Sequence, residues 1–178
     1  QMFNGCTALV TVDVSSFNTS NVTNMSKMFS NCNALATLDL SNFNTGKVTN
    51  ISRMFQNAKS LQELNIANFD TVTGNCQNSD FWYFGANQKT YNLKKITIGN
   101  STILTQYYPE AKNNDGYDGK WMKIDDPTQV YSGSDLFGTS FDKAGTWVWH
   151  EATYKLDFLP GNDGTGKMGT VYPAVKDA

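Results

Sequence analysis

A period of 26 residues constrains this chain more than any other feature. Met2-Phe3, Met28-Phe29 and Met54-Phe55 are separated by that step, as are Cys6, Cys32 and Ala58. The same step joins Leu9, Leu35 and Leu61, then Val12, Leu38 and Leu64, then Val14, Leu40 and Ile66, and finally Phe17, Phe43 and Phe69. Val22 answers Val48, and Met25 answers Ile51. So many apolar positions in one phase mean one unit repeated, each copy burying its apolar side on the next. A fourth copy is altered. Phe81 stands 26 beyond Phe55, but Leu93, Ile96 and Ile98 stand 32 beyond the third set, which places a six-residue insertion near Trp82 to Thr90. Gly74 and Gln77 replace apolar residues there, as in a degenerate end repeat.

Within one unit, Val22, Met25, Met28, Phe29 and Cys32 fall at helical spacing and predict a helix with one apolar face. Thr19 or Ser20 is placed to cap it. Leu38-Asp39-Leu40 alternates and predicts a short strand. The expected fold class is therefore α/β: a solenoid of about four helix-plus-strand units with parallel strands over residues 1–100. Residues 101–152 open with turn-rich sequence. They continue with three short strand patterns at Trp121–Ile124, Gln129–Tyr131 and Gly145–His150, expected to form a β-rich cap over the open solenoid end. In residues 153–178, Tyr154–Phe158 and Lys167–Tyr172 flank an Asn162–Gly166 turn and predict a hairpin.

The pattern Asn21-Val22-Thr23-Asn24-Met25-Ser26-Lys27-Met28-Phe29-Ser30-Asn31-Cys32, followed by Leu35, Leu38-Asp39-Leu40-Ser41 and Phe43-Asn44-Thr45, resembles the 26-residue bacterial surface-protein repeat related to BspA-like leucine-rich repeats. That resemblance covers residues 1–100. It implies a leucine-rich-repeat fold and a surface protein of lactic acid bacteria or their relatives. Asn18 and Asn44 depart from the Asp usual in that repeat, whereas Asp70 keeps it. The final hairpin is similar to the start of a Listeria–Bacteroides β repeat, a stalk module. Together they imply an extracellular, wall- or lipid-anchored location. The chain begins inside a motif and reads as a piece of a longer protein, with any export signal or anchor outside it.

Composition narrows the functions further. Fourteen basic residues face 16 acidic ones, which argues against a nucleic-acid partner. No run reaches the roughly 18 apolar residues of a membrane helix, so direct insertion is not expected of this segment. The chain holds 20 Asn and 19 Thr but one His, His150. A lone His in a Trp-rich strand gives little basis for a Ser-His-Asp site, and its default reading is structural. Cys6, Cys32 and Cys76 lack zinc-site spacing. Cys6 and Cys32 read first as small buried apolar residues, with a bridge between neighbouring units as the alternative. The loop Asn113-Asn114-Asp115-Gly116-Tyr117-Asp118-Gly119 offers oxygen ligands for calcium but lacks the bidentate Glu of an EF-hand, and an ordinary Asn/Gly turn is its default reading. No other cofactor is expected.

What remains is surface. Strand residues between the buried ones form outward columns: Thr11, Thr37, Glu63 and Lys95, beside Asp13, Asp39, Asn65 and Thr97. They form a polar face for a host or microbial surface ligand: mucin, matrix protein or glycan. Solvated strand residues are the alternative reading. Trp82 and Tyr83 in the insertion are aromatic candidates for sugar stacking, or else a plug for the solenoid end. The expected function is a non-catalytic adhesin module. A structural spacer is the alternative, and a secreted hydrolase the least favoured.

Overall fold

Short strands recur at the repeat interval. The computed structural model describes residues 2–72, 76, 80–82, 92–104, 111, 116–138 and 143–151. Strands β1 (Thr37–Asp39), β2 (Glu63–Ile66) and β3 (Lys95–Ile98) pair in parallel. Leu38 lies opposite Leu64, and Leu64 opposite Ile96, so the second step absorbs the insertion without shifting the apolar register. Beyond them come β4 (Tyr117–Lys123), β5 (Val130–Tyr131), helix α1 (Gly133–Phe137) and β6 (Gly145–Glu151). All six strands form one mixed sheet in the order β1-β2-β3-β6-β4-β5, with β6 antiparallel to both β3 and β4. The hairpin expected within residues 153–178 lies outside the described residues.

The expected α/β leucine-rich-repeat solenoid is overturned. Among the described residues the one α-helix is α1, of five residues, and the repeats contain none. Amide accounting gives the reason. The N–H groups of Met25, Lys27, Phe29 and Asn31 donate to the carbonyls of Asn50, Ser52, Met54 and Gln56 in the next unit. Those of Met28, Ser30 and Cys32 turn back three residues, to Met25, Lys27 and Phe29. An α-helix needs every amide inside its own segment, four residues back. Here every second one reaches across to a neighbour. Left-handed backbone at Lys27 and Asn31, and again at Arg53 and Asn57, fixes these successive turns. Asn tolerates that conformation, and the same position in the first unit is Gly5, at φ 81°. Reversing every few residues keeps Met25, Met28, Phe29 and Cys32 facing inward, so a run of turns carries the apolar spacing of a helix.

Thr19 is correspondingly not a helix cap. It is buried, and its hydroxyl accepts from the Asn44 amide at 2.7 Å and donates to the Asn44 carbonyl at 3.1 Å. Thr45 does the same to Asp70, and Thr71 bonds to Ser101 and Ile103. A second ladder runs through Asn42, whose side-chain amide donates to the carbonyls of Val14, Ser15 and Phe17. Asn68 repeats this on Ser41. These short side chains satisfy backbone groups that the turns leave unpaired. They give Asn and Thr a structural place at fixed points of the repeat.

Inside, aromatic rings stack from unit to unit. Phe3 lies 5.2 Å from Phe29, and Phe29 5.8 Å from Phe55, with rings within 8° of parallel. The indole of Trp82 takes the next place at 5.1 Å from Phe55, while Phe81 meets Phe55 edge-on. At the other end of the sheet, Trp147 lies opposite Ile96, and Trp121 packs edge-on against Phe137; both indoles are fully buried.

Candidate functional site

Strand alternation decides which side chains reach solvent. Leu38, Leu64, Ile66, Ile96 and Ile98 point into the core. Between them, Thr37, Asp39, Glu63, Asn65, Lys95 and Thr97 share the opposite face. The register sets Thr37, Glu63 and Lys95 side by side, and Asp39, Asn65 and Thr97 likewise. These six, with Leu38 and Leu64 between them, line a depression of about 220 Å³. Thr11 and Asp13 are exposed but lie outside any strand and do not line the depression.

Much of this polarity is internally ordered. Glu63 and Lys95 form an ion pair at 3.2 Å across β2 and β3, with both side chains about half exposed. The Asp39 carboxylate accepts the Ser41 amide at 2.8 Å. Its bonds from the Ser41 side chain and amide hold it below the usual carboxylate range. Asp13 is lowered in the same way by Ser15, chiefly through the amide, and Asn65 accepts the Ala67 amide at 3.1 Å. One turn thus recurs at residues 13, 39 and 65 and fixes the outer column.

The same face continues onto strands whose pairing the repeat does not reveal. Thr146 of β6 meets Thr97 hydroxyl to hydroxyl at 2.9 Å, and Val148 lies between Lys95 and Met122. His150 follows two residues on, with its Nδ1 3.0 Å from Asp118 Oδ2. Lys120 Nζ stands 3.7 Å from that carboxylate oxygen. The alternation of Thr146, Val148 and His150 with Trp147 and Trp149 was the available signal. It identifies a two-faced strand but not its neighbour.

The remaining candidates are placed as follows. Trp82 is buried against Phe55, so its ring does not face solvent; Tyr83 lies outside the described residues. Residues 113–115 of the candidate calcium loop also lie outside them. Among the described residues no cluster of three His, Cys, Asp or Glu could hold a metal, and no hydroxyl or thiol bonds to His150. Cys32 is buried as expected, but Cys6 is exposed, because the first unit has a described neighbour on one side alone. No helix among the described residues is long and apolar enough to cross a membrane.

Fold and site define a class: stacked 26-residue turn-and-strand units, joined edge to edge with an antiparallel segment, with a polar sheet face over β1 to β3. The chain belongs to the family described as "Mycoplasma protein of unknown function, DUF285", whose model matches residues 1–121. That match spans the repeats and runs into β4. No curated protein and no solved structure matches the chain.

Proposed function

We propose that this chain is a non-catalytic binding module of a bacterial surface protein, an adhesin that holds a host or microbial surface ligand on its sheet face. The observation that carries the reading is the depression lined by Thr37, Asp39, Glu63, Asn65, Lys95 and Thr97. Outward groups from three strands converge there, offering donors and acceptors on a rigid sheet with little net charge. Such a surface suits a hydroxyl-rich glycan or a polar protein patch. The resemblance of the repeats to surface-protein repeats supports the extracellular location.

The experiment is a binding panel of mucin, matrix proteins and glycans, repeated with Asp39→Lys and Asn65→Lys. Both residues line the exposed face, so the variants should fold and lose at least tenfold in affinity. Unchanged affinity for a ligand that does bind would remove the sheet face as the site. A second reading, a spacer that presents binding domains elsewhere, is favoured by the Glu63–Lys95 pair and the Asp39–Ser41 turn, which already engage part of the face. Under that reading no ligand binds this chain, and a parent protein keeps its adhesion when residues 1–152 are deleted.

A further inference from the structure

The repeat sets two thiols at the same position of neighbouring units, and the backbone around them fixes their alignment. Gly5 donates to the Ser30 carbonyl at 2.8 Å, and Phe3 to the Met28 carbonyl at 3.1 Å, which puts Cys6 beside Cys32. Both occupy the same turn, since the Cys6 amide donates to the Phe3 carbonyl and the Cys32 amide to the Phe29 carbonyl. Phe3 and Phe29 stack nearly parallel, so the two units are related by a simple translation at this point. Chains bonded this way lie about 4.8 Å apart, inside the roughly 4.4–6.8 Å Cα separation that a disulfide spans. Parallel Cβ vectors must close by about 1 Å to reach bonding geometry. The first unit can supply that movement: Phe3 and Leu9 are only partly buried where Phe29 and Leu35 are fully buried.

We propose that Cys6 and Cys32 are a disulfide-forming pair that clamps the first unit onto the second when the chain meets a low-molecular-weight disulfide such as oxidised glutathione. Cys6 is exposed and reacts first. Its thiolate attacks one glutathione sulfur, forms a mixed disulfide and releases one glutathione thiolate. Cys32 then gives its proton to solvent and attacks the Cys6 sulfur. The protein disulfide forms, and the second glutathione leaves. Two protein thiols are oxidised, and one glutathione disulfide is reduced to two thiols. Burial raises the Cys32 thiol above its ordinary range, and the adjacent Cys6 adds to the shift, so the second step is the slower and speeds up with pH. Cys32 Sγ now donates to the Phe3 carbonyl at 3.1 Å, which points it at the unit that carries Cys6. This pair is independent of the proposed ligand face.

The test treats the whole chain with oxidised glutathione and maps it after cleavage at Lys27 and Lys47, which separates Cys6 from Cys32. The expected product is a cross-linked pair of peptides, 1–27 with 28–47. Closing a loop of this length should raise Tm by about 5–10 °C, and reduction should reverse the shift. Cys6→Ser, a change at an exposed site, should fold normally and lose both the cross-link and the shift. A product that stops at glutathione on Cys6, a Cys6–Cys6 dimer, pairing through Cys76, or a cross-link that leaves Tm unchanged would each overturn the proposal.

Discussion

The first described unit and the last strand of the repeats are covered differently. At the first unit, Phe3, Leu9, Val12, Phe17 and Val22 are partly buried, whereas their equivalents one step on, Phe29, Leu35, Leu38, Phe43 and Val48, are buried. Met2 is 68% exposed and Val10 57%. An apolar groove of about 380 Å³ opens there, lined in part by Met2, Phe17, Val22, Met25 and Met28. At the other end β3 is covered by β6, which runs against it and delivers Trp147 and Trp149. β4 then adds Trp121, and α1 adds Phe137. A periodic sequence makes each unit a good neighbour for the next, but it provides no reason to stop. Reversing strand direction and replacing Phe and Leu with Trp ends the period while still giving β3 a partner strand on both edges.

The sharpest way to break this contrast is to delete the same ring at two depths. Phe55 is fully buried between Phe29 and Trp82, and Phe55→Ala should cost about 3–5 kcal/mol, enough to unfold much of the stack. Phe3→Ala removes the equivalent ring from the first unit, where it is partly exposed, and should cost about half as much or less. Urea midpoints of the two variants check this. Equal losses would mean that the first unit is as well covered as the third.

Next in size is the junction between parallel and antiparallel halves. Gly99 follows β3, at the position that is Ser41 and Ala67 in the preceding units. A Cβ there would stand 2.0 Å from the Ala67 carbonyl oxygen, so the backbone must move to admit one. Gly99→Ala should cost about 2–3 kcal/mol. Ser41→Ala, at the matching place inside the repeats, should cost well under 1 kcal/mol. Thermal unfolding of the pair measures how much tighter the chain is where the two halves join.

A smaller effect is expected in the ladder between units. Asn42 donates to Val14, Ser15 and Phe17, so Asn42→Ala leaves carbonyls of the preceding turn to water. A loss of about 1 kcal/mol is expected, with faster hydrogen exchange confined to the first unit. Exchange that quickens throughout the sheet would show that the first unit does not open independently.

The sequence made the period and the inward residues legible because each apolar position is repeated in phase. It also revealed the outward columns of β1 to β3, which follow from alternation alone. The local backbone was hidden. Val22, Met25, Met28, Phe29 and Cys32 keep helical spacing, yet Lys27 and Asn31 adopt left-handed backbone, and nothing in their side chains requires it. Those amides bond to the next unit, a long-range choice that local periodicity cannot encode. The extension of the face through Thr146, Val148 and His150 was hidden for the same reason. β6 covers β3 with Trp147 opposite Ile96, a pairing between segments about 50 residues apart that local alternation does not specify.

The smallest prediction concerns acid. The Asp39 carboxylate is held below its usual range by Ser41, so the folded chain binds that proton more weakly than the unfolded chain does. Its contribution is therefore present above the unfolded value of about 4 and is lost as pH falls through it towards the lower folded value. The group is largely solvated, so after screening the effect amounts to a few tenths of a kcal/mol at about pH 6. Asp39→Asn keeps an oxygen for the Ser41 amide but cannot titrate. The Tm difference between about pH 6 and about pH 3 should accordingly be slightly smaller in the variant than in the parent chain. Asp13 makes the same turn with Ser15, also at an exposed site. Its Asn variant should behave alike if the turn alone sets the shift. A response at Asp39 without one at Asp13 would instead assign the effect to the sheet around Asp39, where Asn65 adds a further donor.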